Sequence, residues 1–573
     1  MKKTILYRGL AVTAAAVMMT SCSSDYLQTE PITDISDSQA VATTQAAQMS
    51  IYGIGRIMNT QNDMGRSHTG ETSCLYWINE ALGPDNNSYF FMTEMGGSWY
   101  RWESMDNQDS SLCKSMWDYC YTIISRANTV LSTIDAAEGT DAERSWVKAQ
   151  ALTLRAHGYI HALQWFGYRW QDSNNGEKYG VVLRTESGSA PAPVVSMNDV
   201  LKQVYEDLDS AIGLYQQSGK SRKYEFEPDL NIAYGLYARA ALIKQDWKTA
   251  RTMSANARRD YPVIANEEYM SGFIYNTSDY MWTNGDNDIY YSSFGCWFSC
   301  NGSYCANWGA GMNANIDFLR QLDPNDIRLK CFFSPDKVDD IAAIPGYEDV
   351  ASITEADFWN PENVVAGTMD CNWGGLGKMA EGFVKYAVAN NPNSGYANTM
   401  PYCRVISGVA ETTPSVMNLG SPVKMWSVGV NGTYGDSFFP WMRATEFLLT
   451  EAEAAYMDGD IASAKSIITE LNSIRIPGYV APDGEALLED IRLSRRAELW
   501  GEGHCWYDFK RWNLPIEERK WVANDPTSGN TPANFARAHA VNDRNGWRLM
   551  IPRAESDFNS GFDRTLMGYA DND

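Results

Sequence analysis

Residues 238–250 and 452–464 repeat one pattern. Ala238-Arg239-Ala240-Ala241 is followed after four residues by Asp246-Trp247 and then Ala250; Ala452-Glu453-Ala454-Ala455 is followed after four residues by Asp460-Ile461 and then Ala464. The spacing predicts a helix-turn-helix unit. Runs of alanine let two helices approach closely, an aspartate caps the second helix by accepting from its free N–H groups, and the next apolar residue seats it. Such a unit cannot bury both faces alone, so its copies must stack with further helices. The chain is therefore constrained to a helical array, and the distance between the copies predicts an interruption of that array by an insertion.

Other segments supply the remaining helices. In 142–169 the positions Trp146, Ala149, Leu152, Ala156, Tyr159, Ile160, Leu163 and Phe166 step by three and four, the period of one helix face. Residues 110–134 carry a similar face through Met116, Tyr119, Cys120, Ile123 and Ile124, and Ser196-x-x-Asp199 opens a third helix with Val200, Val204, Leu208, Ala211, Ile212 and Tyr215 inward. Paired helices of this kind follow the logic of tetratricopeptide repeats. At 573 residues the chain exceeds the roughly 100–200 residues of one ordinary domain, consistent with an extended array. Its net charge of -24 would repel a nucleic-acid backbone, so nucleic acid is not an expected partner.

The N-terminus reads as an export signal. Lys2, Lys3 and Arg8 precede the apolar run Gly9–Met19, which is too short to span a bilayer, and Thr20-Ser21-Cys22 resembles a bacterial lipobox. Cleavage would leave Cys22 as an acylated terminus. The polar stretch that follows reads as a tether. Among the other cysteines, Cys296, Cys300 and Cys305 cluster without a zinc or redox spacing, so disulfides or buried thiols are expected.

Aromatic residues are in excess: 20 Trp, 32 Tyr and 19 Phe. Two stretches concentrate them outside the periodic helices. Residues 77–102 include Tyr89-Phe90-Phe91 and Trp99-Tyr100-Arg101-Trp102; residues 275–308 include Tyr280, Trp282, Trp297, Tyr304 and Trp308 among Asn, Ser, Gly and Asp. Long aperiodic loops in compact proteins usually carry function. A pyranose ring lies flat on the face of Trp or Tyr while amides and hydroxyls bond its rim, so these stretches suit a sugar. Trp99, Trp102, Trp297 and Trp308 are the candidate platforms, with Tyr100, Asn301, Tyr304 and Asn307 at the rim.

Catalytic signatures are absent: there is no G-x-S-x-G elbow, no H-E-x-x-H, no Walker loop and no G-x-G-x-x-G after a strand. His157 and His161 stand one helical turn apart, but their apolar neighbours suggest packing and no third ligand is evident. Neither enzyme activity, nor a cofactor, nor a metal is expected.

The C-terminal residues carry a family resemblance. Arg495-Arg496-Ala497-Glu498-Leu499 followed by Glu502-Gly503-His504-Cys505-Trp506-Tyr507-Asp508-Phe509-Lys510-Arg511-Trp512 resembles the signature of the SusD/RagB family of outer-membrane nutrient-binding lipoproteins. In order along the chain, the Cys22 start with Tyr26-Leu27 and Pro31, Arg155-Ala156 with His161 and Phe166-Gly167, Arg443-Ala444 with Glu446, Leu448-Leu449 and Glu451-Ala452-Glu453-Ala454, and Ile551-Pro552 with Glu555 fit the same family. Ser494 and Cys505 depart from it. Within the signature, Arg495, Glu498, Glu502 and Asp508 alternate with Leu499, Trp500, Trp506 and Trp512, a spacing that predicts a buried charge network locking the last helices.

The resemblance implies a mainly α, tetratricopeptide-like scaffold with a large loop-rich insertion containing short strands. It divides the chain into a signal peptide (1–21), tether (22–40), first scaffold part (41–265), ligand-binding insertion (266–439), second scaffold part (440–515) and a C-terminal segment packed on the scaffold (516–573). It also implies a non-enzymatic lipoprotein on the outer surface of a Gram-negative bacterium. This protein would bind oligosaccharide or polysaccharide and pass it to a SusC-like TonB-dependent barrel. An exported glycan hydrolase and a lid for a non-sugar or peptide nutrient are the alternatives.

Overall fold

The computed structural model describes residues 42–59, 70–71, 79–87, 100–269, 276–284, 313–332, 338–354, 440–520 and 536–569, together with residues 357, 379, 382, 527, 529 and 531. Cys22 and most of the two aromatic stretches lie outside them. The main elements are α1 (Thr44–Asn59), β1 (Asn86–Asn87), α2 (Ser111–Thr133), α3 (Asp141–Phe166), β2 (Tyr179–Val182), β3 (Val194–Ser196), α4 (Met197–Ser218), α5 (Leu230–Lys244), α6 (Trp247–Ala257), β4 (Tyr280–Thr283), β5 (Asn313–Ala314), β6 (Pro440–Arg443), α7 (Ala444–Met457), α8 (Ile461–Arg475), α9 (Glu485–Glu498), α10 (Cys505–Trp512), β7 (Ile516–Glu517) and β8 (Ala538–His539). The fold is mainly α, as the periodicity predicts. The strands form four two-stranded antiparallel ladders, β1·β5, β2·β3, β4·β6 and β7·β8. None of the described helices is long and apolar enough to cross a membrane.

Helices α2 to α6 stack in chain order, each against its neighbour, and α7 then packs on α6 although residues 258–443 separate them in sequence. The β4·β6 ladder sits beside this junction, pairing Tyr280 with Arg443 and Trp282 with Met442. The two copies of the repeat become α5–α6 and α7–α8. Asp246 and Asp460 cap the second helix of each with nearly the same backbone (φ -80, ψ 76 and φ -86, ψ 71), accepting from Thr249 N and Ser463 N. The copies differ at the next residue. Trp247 packs with Ala241, Leu242, Ala250 and Ala454, whereas Ile461 keeps 37% of its surface exposed.

Helix α3 departs from the one-faced reading. It is buried nearly all round because α1, α2, α4 and α5 surround it, so its polar residues need internal partners. Arg155 forms a bidentate pair with Asp207 at 2.6 and 2.8 Å, Gln150 donates to Glu227, and Thr153 meets the Tyr215 hydroxyl. Its C-terminus is capped from afar: the Lys510 ammonium on α10 donates to the carbonyls of Gln164 and Gly167 at 2.6 and 3.0 Å. The C-terminal signature is thereby docked onto the central helix.

Candidate functional site

The charge network forecast for the signature is present, with partners drawn from distant elements. Arg475 on α8 grips Glu498 with two bonds of 3.0 Å, and Arg328 and Arg443 stand 3.6 and 3.8 Å from the same carboxylate. Arg443 also binds Glu502 and Asp279 at 2.8 Å. Arg495 and Arg511 share Asp508 at 2.6 and 2.8 Å, and Arg511 pairs with Glu453 at 2.6 Å. All these groups are buried. Burial alone would raise the Glu498 carboxyl, but the guanidinium groups of Arg475, Arg443 and Arg328 outweigh it and hold the carboxyl at about 2. The cluster is fully paired among protein groups, which suits a scaffold lock.

The lock reaches the base of both aromatic stretches. Arg496 binds Asp85 through two bonds of 2.6 and 2.7 Å, and the carbonyl of Asp85 accepts from the Trp500 indole and from Asn315 N, each at 2.9 Å. Asp85 precedes β1 and Asn315 follows β5. In their ladder Asn86 pairs with Ala314 and Asn87 with Asn313. The chain thus leaves toward residues 88–99 and returns from residues 285–312 at one place. Sequence spacing gave no sign of this convergence. A cleft of about 430 Å³ adjoins it, lined in part by Gln321, Asp323, Tyr479 and Asp490, and Gln321 also accepts from Arg496 at 3.0 Å.

Of the predicted ligand residues, Trp99, Trp297, Asn301, Tyr304, Asn307 and Trp308 lie outside the described residues. Tyr100 and Trp102 are described, and both are fully buried, so neither offers a ring face to a sugar. The Arg537 guanidinium lies 3.7 Å from the centre of the Tyr100 ring, whose hydroxyl bonds Glu518 at 3.1 Å. Trp102 stacks on His539 at 4.0 Å and donates to the carbonyl of Leu82 at 3.2 Å. The C-terminal segment around β7 and β8 covers these rings, a long-range packing that local composition does not disclose. Tyr280 and Trp282 are buried likewise, Trp282 donating to Phe226 O at 2.8 Å and meeting Trp441 edge-on. Ten of the twelve described tryptophans are buried and two half-buried; the eight others lie outside the described residues.

The described cysteines Cys113, Cys120, Cys331 and Cys505 are buried. Cys505 packs against Gly83, where a Cβ would come within 2.7 Å of its sulfur, so position 83 must stay without a side chain. His157 and His161 do have a third group that sequence proximity hides: the buried carboxylate of Glu71 meets their Nε2 atoms at 3.1 and 3.0 Å. Burial, opposed by Glu71, pushes His157 down to about 4. No reacting nucleophile with an adjacent base and an open approach accompanies any of these clusters among the described residues.

Residues 356–569 match the profile of the SusD family, and residues 56–242 match a second profile described as starch-binding associating with outer membrane. The chain belongs to the SusD/RagB family. Solved structures agree on the fold. A SusD-like carbohydrate binding protein from Bacteroides vulgatus ATCC 8482 superposes with a TM-score of 0.67 at 17% identity, over 91% of this chain and 97% of its own. A putative sugar binding protein from the same organism gives 0.64 at 20% identity, over 91% and 98%. Surface glycan-binding protein A from Bacteroides thetaiotaomicron, solved in complex with laminarihexaose, gives 0.59 at 14% identity, over 91% and 98%. No curated protein matches the chain in sequence. In this SusD/RagB chain, the signature residues form the buried charge lock that also holds Asp85 beside the β1·β5 ladder.

Proposed function

We propose that this protein is a cell-surface lipoprotein, anchored in the outer membrane through Cys22, that binds oligosaccharide or polysaccharide and delivers it to a SusC-like TonB-dependent transporter. The observation that carries the reading is the shared root of the two aromatic stretches at the β1·β5 ladder, pinned by Arg496 and Trp500 of the family signature. Trp99, Trp297 and Trp308 supply the platforms, with Asn301, Tyr304 and Asn307 bonding hydroxyls at the rim, within an insertion spanning 266–439. Trp102 and Tyr100 leave this set and anchor the loop instead. The cleft beside Gln321, with its tyrosine and carboxylates, suits a flanking sugar unit. Glycan binding needs no catalytic group, and the reading includes no hydrolysis. The family's link to glycan and outer membrane supports it.

A glycan array followed by calorimetry tests the reading. A ligand found there should lose affinity in Trp99→Ala and in Trp297→Ala, each by about 1–3 kcal/mol, the range of buried aromatic anchors. Unaltered affinity in both variants would show that the site lies elsewhere, and new reducing ends on incubation with the ligand would replace binding by hydrolysis. Cys22→Ala should leave the membrane pellet, because acylation is the anchor in this reading.

A further inference from the structure

Helix α3 brings His157 and His161 one turn apart into the core, where both are essentially inaccessible, with their rings 4.5 Å apart. Their Nε2 atoms point at different oxygens of the Glu71 carboxylate, His157 at Oε2 (3.1 Å) and His161 at Oε1 (3.0 Å). The three donor atoms lie within 4.8 Å of one another. The Tyr119 hydroxyl on α2 donates to the same carboxylate. Among the described residues, the ion-pair partners of Glu71 are these two imidazoles, in contrast to the guanidinium-rich lock around Glu498.

The hydrogen bonding on the far side of His161 fixes what its near side can do. Its Nδ1 stands 3.1 Å from Oε1 of Gln164, and an amide oxygen only accepts, so Nδ1 carries the hydrogen. In the neutral ring Nε2 then presents a lone pair to a carboxylate oxygen at 3.0 Å. Two such atoms repel at that distance unless a positive centre stands between them. On His157, Nδ1 is buried without a hydrogen-bond partner among the described residues, so turning the Nε2 lone pair toward Glu71 places the ring hydrogen on that unpaired Nδ1.

We propose that Nε2 of His157, Nε2 of His161 and the Glu71 carboxylate form a binding site for a late first-row divalent cation of the zinc type. Two imidazoles and one carboxylate are a donor set of borderline softness, which favours zinc or cobalt over calcium or magnesium. Bonds of about 2.1 Å in a tetrahedral arrangement place neighbouring donors roughly 3.4 Å apart, so the two nitrogen–carboxylate contacts of 3.1 and 3.0 Å need slight opening while the widest donor pair, within 4.8 Å, must draw in. Tyr119 and Gln164 orient the carboxylate and His161 as outer partners, as such ligands commonly require. Closed off from solvent, the site ties the segment around Glu71 to the central helices and takes a structural role. The inference is independent of the glycan reading.

The test uses the purified full-length protein, stripped with a chelator and then offered zinc or cobalt alone. We expect one equivalent of zinc retained through desalting, a rise in melting temperature on its addition, and a visible cobalt spectrum of a four- or five-coordinate site. Glu71→Gln and His161→Gln should each weaken retention at least tenfold. Folded wild-type protein that retains no zinc and melts unchanged would overturn the proposal, leaving a proton on His161 as the positive centre. Equally, undiminished retention in His161→Gln, or X-ray absorption of the wild-type zinc adduct showing thiolate ligands, would overturn it. If the variants fail to fold, the wild-type stoichiometry, melting shift and absorption spectrum still decide.

Discussion

Two regions of the molecule bury carboxylates, and they compensate them differently. Around α9 and α10, each of Glu453, Glu498, Glu502 and Asp508 meets at least one guanidinium in bonds of 2.6–3.0 Å. Among the described residues, Glu71 meets two imidazoles and a phenol, and Glu80 accepts from the Gly503 N–H at 2.7 Å while its Oε2 is buried without a hydrogen-bond partner. Burial raises the Glu80 carboxyl to about 8, with Asp85 adding to the effect and the Gly503 N–H opposing it. In the first region Glu453 and Glu498 are held below the ordinary carboxylate value by their guanidinium partners, whereas in the second Glu71 is held down by its imidazoles and Glu80, with no cation beside it among the described residues, is pushed up. The contrast teaches that the groups facing a core carboxylate, rather than burial alone, set the direction of its titration.

The largest effect should come from breaking the paired region. Glu498→Ala leaves Arg475 and its neighbours buried without their counter-ion, which should cost about 3–5 kcal/mol in denaturant unfolding. Any folded fraction should keep its glycan affinity; a stable Glu498→Ala protein with abolished binding would show that the lock contacts ligand. In acid the same pair gives a signed expectation. Because the folded carboxyl titrates near 2, below its ordinary value of about 4.5, its stabilisation is present above pH 4.5 and is lost as pH falls toward 2.

Glu80 has the opposite sign. Its folded value near 8 lies above the unfolded one, so folding takes up a proton between about pH 4.5 and 8 and stability declines across that window. Glu80→Gln keeps an oxygen for Gly503 N and removes the titration. It should raise stability at pH 9 by on the order of 5 kcal/mol, from 1.4 kcal/mol per pH unit between the two titrations, and change little at pH 5. Equal melting curves at both pH values would mean that Glu80 is ionised and the contrast is false.

A smaller and more specific effect is expected where the regions meet. Arg496→Leu removes the clamp on Asp85 at the foot of the loops, with a loss of about 1–2 kcal/mol of stability and, unlike Glu498→Ala, a measurable loss of glycan affinity. Smallest is the helix cap. Asp460→Ala and Asp246→Ala should each cost about 1 kcal/mol by thermal melting. A much larger cost at Asp246 would mean that its Trp247 neighbour, seated only in that copy, depends on the cap.

Much of the scaffold could be read directly from the chain. The helices near 110–134, 142–169 and 196–218 and the twin helix pairs follow from periodicity and capping residues, which act over one or two turns. The signature's buried charges were also legible, because acids and bases spaced among Leu499, Trp500, Trp506 and Trp512 cannot all face water. Their partners were not: Arg328, Arg443, Arg475 and Asp279 come from elements brought together only by the stacking of α7–α9 on β4 and β6. The aromatic reading erred for Tyr100, Trp102, Tyr280 and Trp282, whose loop-like composition conceals that β7, β8 and β6 cover them.

By itself the sequence determined a stacked helical array, its interruption and the family to which the chain belongs, because these rest on residue spacing along one helix or turn. Only the tertiary structure decided which rings are core, which carboxylates are charged and where the aromatic stretches begin and end. Those outcomes depend on desolvation and on partners dozens to hundreds of residues away, such as Glu71 for His161 and Asp85 for Arg496, and local spacing carries no record of either.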